Sequence, residues 1–164
     1  MDSRIHQDFC DMLSALNAEG VEYLLVGAHA LAAHGLYRTT RDMDVWVRPT
    51  AENAKKVWRA LAKFGAPLRG IGPEVFQDLQ TIYQVGVAPF RVDVLTVIEA
   101  VAFDEAWERR TMREVSGIPV SVLSVPDLMK NKRAAGRPKD LADVAMLEDL
   151  LDGKPKKRRR TKKR

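Results

Sequence analysis

The most constraining stretch of this chain is Asp42-Met-Asp-Val-Trp-Val-Arg48. It alternates with period two. Met43, Val45 and Val47 fall on one side of an extended segment, and Asp42, Asp44, Trp46 and Arg48 on the other. A half-buried β-strand fits this pattern and a helix does not. The two carboxylates must then project from the same face. Two carboxylates that close repel one another. Either one of them is pushed toward its protonated form or a divalent cation sits between them. A hard cation with oxygen ligands, usually magnesium that keeps several waters and substrate phosphates, suits such a pair.

Two further features sharpen the reading. Asp93 interrupts an apolar run, Val92-Asp93-Val94-Leu95, where an aspartate is uncommon unless it is paired or belongs to a site. Three strand-borne carboxylates are the minimum equipment for two-metal phosphoryl transfer. Upstream, Val26-Gly27-Ala28 ends a strand and opens a helix. Such a turn lets backbone amides approach an anion, and the helix start favours negative charge.

The rest of the chain is a mixed α+β alternation. Residues 3–18 read as an amphipathic helix with Ile5, Phe9, Leu13 and Leu16 on its apolar face. Residues 22–27 read as a buried strand, and 28–34 as a small-residue helix stopped by Gly35. A helix follows Thr50 and runs to Phe64, with Gly65 as its stop. A loop spans 66–72 and a short helix 73–79. Strand-like runs at 81–87 and 90–97 form a hairpin. Residues 103–114 read as a charged helix and 118–123 as a last strand. Two closing helices occupy 125–135 and 138–151, parted by Gly136, with Pro138 in the first turn of the second. Cys10 reads as a small core residue, and Trp46, Trp58 and Trp107 as core or interface aromatics rather than base-stacking platforms. His29 and His34, on the small-residue helix, read as packed or capping residues.

Composition bounds the rest. A chain of 164 residues with 46% hydrophobic and 30% charged residues has the balance of a folded domain. Its single cysteine excludes an intrachain disulfide. No uncharged apolar run reaches the ~18 residues of a membrane span, and the N-terminus lacks a signal-peptide apolar stretch. A cytoplasmic protein with no membrane contact is expected. The net charge of +5 divides unevenly. Nine of the 27 Lys/Arg lie within residues 154–164, which hold no acid, so residues 1–153 carry eighteen against all 22 Asp/Glu. The body is acidic and the tail is strongly basic. The expected organisation is one domain over 1–153 and a disordered Lys/Arg-rich tail over 154–164. Such a tail attracts phosphate backbones without reading bases, so RNA or DNA is the partner it points to, RNA first.

The run Leu24-Leu-Val-Gly27-Ala28-His29-Ala30 through Gly35, then Arg38-Thr-Thr-Arg41-Asp42-Met-Asp44-Val, resembles the signature of the nucleotidyltransferase superfamily typified by DNA polymerase β. It is similar in particular to the small prokaryotic members, the stand-alone enzymes and the AbiEii-like toxins of toxin–antitoxin systems. The resemblance covers roughly residues 20–150. It implies a minimal nucleotidyltransferase fold: a short mixed β-sheet flanked by helices, with the site at the sheet edge. It implies that Asp42, Asp44 and Asp93 bind two Mg2+ ions and act in catalysis. Gly27, Ala28, Arg38, Arg41 and Lys132 would meet the phosphates of a nucleoside triphosphate, and Lys139-Asp140 loosely fits a Lys-Asp pair of the family. Family members usually carry Gly or Ser where this chain has Ala28, which supplies an amide but no hydroxyl. The implied reaction moves a nucleoside monophosphate from an NTP to a hydroxyl on RNA or protein, with a cognate antitoxin as a possible partner. Two alternatives stand beside it. One is a small-molecule, aminoglycoside-type transferase. The other is a non-catalytic nucleotide- or nucleic-acid-binding protein on a degenerate transferase scaffold.

Overall fold

The computed structural model describes residues 6–37, 41–86 and 90–153. Its elements, in chain order, are α1 (Gln7–Ala18), β1 (Tyr23–Val26), α2 (Gly27–Ala33), β2 (Asp42–Val47), α3 (Ala51–Phe64), a 3-10 turn (Pro73–Gln77), β3 (Ile82–Val85), β4 (Arg91–Leu95), α4 (Phe103–Glu108), β5 (Thr111–Val115), β6 (Ile118–Val122), α5 (Val125–Ala135) and α6 (Pro138–Leu151). The strands form one six-stranded sheet in the order β3-β4-β2-β1-β6-β5. β2 runs parallel to β4 and antiparallel to β1, β1 runs parallel to β6, and the two outer pairs are antiparallel. The mixed α+β class follows.

The sheet's pleat separates two environments. On one side Met43, Val45 and Val47 are fully buried. They share one core with Phe9, Leu13 and Leu16 of α1 and Val57 and Leu61 of α3. Each of these side chains contributes about 1.5–3 kcal/mol by leaving water. α3 forms where the sequence signals it. Thr50 caps its start by accepting from the Asn53 amide at 3.3 Å, and Gly65 ends it in the left-handed conformation. Asn53 then ties two strands together. Its side-chain amide donates to the carbonyls of Glu22 (3.0 Å) and Arg48 (2.9 Å), while its carbonyl accepts from the Glu22 amide at 2.9 Å. The end of β2 is thereby fixed against the start of β1.

The opposite side of β2 carries the two aspartates and Trp46. Trp46 is also buried, at 2% exposure. Phe103 of α4 meets its ring edge-on, with centroids 4.9 Å apart, and Trp107 stacks on Phe103. The far end of the carboxylate face is thus roofed by α4, and β2 is half-buried only at its Asp42–Asp44 end.

Three expectations are corrected. The charged helix read at 103–114 stops at Glu108, and Thr111–Val115 is a strand paired with β6 from Thr111↔Val122 to Val115↔Ile118. The cause is the turn between them. Ser116 and Gly117 both adopt left-handed backbone, φ 50° and 79°, as a two-residue hairpin turn of the primed kind requires. The second concerns placement, since β2 and β4 lie inside the sheet and β3 and β5 form its edges. The third is Cys10, which is partly exposed rather than a core residue. The first helix begins at Gln7, capped by the His6 ring accepting from the Asp8 amide at 3.2 Å, and Ile5 lies outside the described residues. The tail 154–164 and Arg38 also lie outside them. No helix among the described residues is long and apolar enough to cross a membrane.

Candidate active site

The site is built by strand register. Asp44 pairs with Val26 on one side and with Asp93 on the other. Neighbouring strands lie about 4.8 Å apart, and cross-strand partners share a face. Val26, Asp44 and Asp93 therefore form a lateral row across three strands, and Gly27 follows Val26 directly. One pleat away, Asp42 pairs with Arg91. The Arg91 guanidinium lies 3.9 Å from the Asp42 carboxylate. The sequence places Asp42 and Asp44 on one face, but only the parallel pairing of β2 with β4 brings Asp93 to them.

Gly27 is the turn that makes room. It adopts φ +66°, and a Cβ there would lie 2.5 Å from Asp44 Oδ2. Any side chain would be strained in backbone and would displace the carboxylate. The α2 start is thus held directly against Asp44, and a helix start of this kind favours a nearby anion. Ala28 sits in that turn and is partly exposed.

The electrostatics follow from crowding. Burial, then the Asp93 and Asp42 charges, push the Asp44 carboxyl up to about 7. Burial and Asp42 also raise Asp93, opposed by its hydrogen bond with Asp44 and by Arg91 and Gln84. Like charges held together without a counter-ion thus favour the protonated form, most strongly at Asp44. Asp93 Oδ1 is buried and has no hydrogen-bond partner. A carboxylate oxygen left in this way has a lone pair for a cation or for a proton.

Lys132 is buried on α5, at 8% exposure. Its ammonium lies 3.0 Å from Asp143 Oδ2 and 3.6 Å from Asp140 Oδ1, both on α6. Asp140 also receives the Arg137 guanidinium at 2.6 Å, which closes the first turn of α6. The Lys132 charge pulls the Asp44 carboxyl back down, opposing its burial. Lys132 is therefore electrostatically part of the site, though held in an ion-pair cluster. Of the Lys139-Asp140 pair, Lys139 is exposed and Asp140 carries the contacts. Arg41 is exposed beside Asp42 in the chain, and its carbonyl accepts from the Arg91 amide at 3.3 Å.

The histidines behave as packing residues. His34 Nε2 lies 2.8 Å from the Leu123 carbonyl, which ties α2 to the end of β6. His29 meets Phe9 edge-on with centroids 5.0 Å apart, and burial lowers its pKa against the opposing Asp42 charge. One polar neighbour, Gln84, escapes the sequence reading. Gln84 pairs across β3–β4 with Asp93, and Arg91 pairs with Asp42. The alternation within 81–87 could have marked Gln84 as sharing a face with Ile82, but its partner depends on the hairpin register.

Among the described residues no group of three or more His, Cys, Asp or Glu side chains is gathered into a ready-made metal cage. The donor set is instead a row of carboxylate oxygens with one orphaned atom and a glycine cradle beside it. That fits a cation of the magnesium type, which takes one or two carboxylates and completes its shell with waters and substrate phosphates.

No protein-family model matches the sequence, and no curated protein matches it. Solved structures do match the fold. A candidate nucleotidyltransferase from Thermotoga maritima superposes with a TM-score of 0.55 over 90% of this chain and 92% of that one, at 14% identity. ANT(2'')-Ia in complex with adenylyl-2''-tobramycin superposes with a TM-score of 0.57 over 87% of each chain, also at 14% identity. A solution structure of ANT(2'')-Ia, described as an antibiotic-resistance factor, gives 0.57 over 88% of this chain and 83% of that one, at 14% identity. At this identity the likeness is one of architecture, and in architecture the chain shares the mixed α+β fold of these nucleotidyltransferases.

Proposed function

We propose that this protein is a magnesium-dependent nucleotidyltransferase that moves a nucleoside monophosphate from an NTP to a hydroxyl acceptor. The observation that carries the reading is the lateral row of Gly27, Asp44 and Asp93, with Asp42 one pleat away and Asp93 Oδ1 buried without a partner. The fold shared with nucleotidyltransferases supports it. Asp42, Asp44 and Asp93 would hold Mg2+, which when bound neutralises phosphate charge and acidifies an attacking hydroxyl. The chain's own residues do the rest. The amides at Gly27 and Ala28 receive phosphate oxygens. Ionisation of Asp44, whose carboxyl is raised to about 7, prepares the carboxylates. Asp93 Oδ1 accepts the acceptor's hydroxyl proton. Lys132, and Arg41 with Arg38, supply positive charge for the departing pyrophosphate.

For the acceptor, the basic segment 154–164 favours RNA, with protein modification in a toxin–antitoxin setting as a related case. A small aminoglycoside-type acceptor is the second reading, favoured by the likeness to ANT(2'')-Ia, whose structure holds adenylyl-2''-tobramycin. The test is label transfer. Purified protein, Mg2+ and each α-labelled NTP are incubated with total RNA, with lysate and with tobramycin, beside Asp44→Asn. Label on RNA or protein that depends on Asp44 supports the first reading, and label on tobramycin the second. Mg2+-dependent NTP binding without transfer to any acceptor favours a non-catalytic binding protein. Absence of both transfer and binding refutes the proposal.

A further inference from the structure

The row across the sheet does not end at Asp93. Its next member is Gln84, on the edge strand β3, in direct register with Asp93. Side chains so paired share a face and lie within contact distance. Gln84 is exposed, so no packing demand explains a glutamine there. On the same face of β3, two residues away, Ile82 is 64% exposed. The neighbouring strand carries the carboxylate with a buried, unpartnered oxygen.

We propose that Gln84 is a positioning residue: its side-chain amide donates to the Asp93 carboxylate from the edge strand and fixes the direction of the unpartnered Oδ1. A carboxylate has two oxygens and rotates about its Cβ–Cγ bond. Asp44 constrains it from the β2 side through their shared hydrogen bond. Gln84 constrains it from the β4–β3 side, in direct register with it. With both flanks held, Oδ1 has a fixed direction. A neutral donor suits this place better than a cation. Arg or Lys would compete with the divalent ion for the same carboxylate, whereas an amide orients it and leaves its charge available. The inference rests on the transferase reading for its purpose, but not for the contact itself.

The test uses the full-length, 15N-labelled protein. In the metal-free state the Gln84 side-chain amide resonances should move on Asp93→Asn while the backbone spectrum stays folded. Unmoved resonances overturn the proposal, whatever the protein's activity. Mn2+ is then titrated and followed by calorimetry. Gln84→Met keeps the length and removes the donor, and should weaken Mn2+ binding by about three- to tenfold, the net worth of one ordinary hydrogen bond. Ile82→Met, on the same strand and face, should leave it unchanged. Equal binding by Gln84→Met and wild type overturns the proposal, as does an equal loss in Ile82→Met, which would mark a strand effect. A responsive Gln84 amide in a wild type that takes up no Mn2+ sustains the contact and removes the transferase reading instead.

Discussion

Replacing Asp44 by asparagine should make the protein more stable while making it inactive, and the gain should depend on pH. The Asp44 carboxyl is pushed from 3.8 to about 7 by burial and by the Asp93 and Asp42 charges. The folded state therefore binds this proton more tightly than the unfolded chain does. Stability contributed by the protonated group is fully present below the unfolded pKa near 4 and is lost as pH rises through about 7. Three units of displacement correspond to at most about 4 kcal/mol lost by pH 8. Asparagine cannot ionise, so Asp44→Asn escapes this loss. Urea unfolding of both proteins at pH 4, 6 and 8, without divalent ions, measures the difference. It should be a small constant at pH 4 and should grow toward a few kcal/mol at pH 8. At this chain length each kcal/mol also raises Tm by about 2–4 °C. Added Mg2+ should narrow the gap at pH 8, because only the wild type gains from binding it. A gap independent of pH between 4 and 8 would refute this account of the Asp44 carboxyl.

Gly27→Ala should reduce NTP-dependent activity by at least about tenfold and cost about 1–2 kcal/mol, since it forces a left-handed alanine whose Cβ meets Asp44; circular dichroism melts and label transfer read the two effects. Asp143→Ala should cost up to about 3 kcal/mol by leaving the buried Lys132 ammonium only the longer contact to Asp140, and adding Lys132→Met should recover a large part of it without restoring activity; a double mutant as unstable as the single would show that the pair is not coupled. Asn53→Ala should cost about 1–2 kcal/mol in urea melts, since the part-buried Arg48 carbonyl and Glu22 amide lose this partner and the Glu22 carbonyl keeps only the Arg48 amide, with transfer unaffected below the melting temperature. Removing residues 154–164 should weaken RNA binding and flatten its dependence on salt, as filter binding across a salt series would show.

Local chemistry explains why so much of the fold was readable. Thr50 and Gly65 bracket α3, and Gly136 and Pro138 divide α5 from α6, because caps and breakers act within a few residues of where they stand. Thr111–Val115 misled for the same reason. Its charged composition permits a helix, and only pairing with β6 through the Ser116-Gly117 turn makes it a strand. Alternation sets Trp46 on the polar side of β2 because it reports side, not cover; the cover that makes it the core aromatic its type suggests comes from Phe103, 57 positions away.

The sequence by itself determined that Asp42 and Asp44 share a face, because a strand's side-chain period is two. It also placed a glycine at the strand-to-helix turn ahead of them. Everything that makes these parts a site was decided by tertiary structure. Parallel pairing of β2 and β4 sets Asp93 beside Asp44, and antiparallel pairing of β1 and β2 sets the Gly27 turn against the same carboxylate. Packing of α5 on α6 buries Lys132 between two aspartates, within reach of the Asp44 charge. Strand register and helix packing join residues tens of positions apart, and no local preference encodes that pairing. The upward push on the Asp44 and Asp93 carboxyls exists only once the fold has brought the two together.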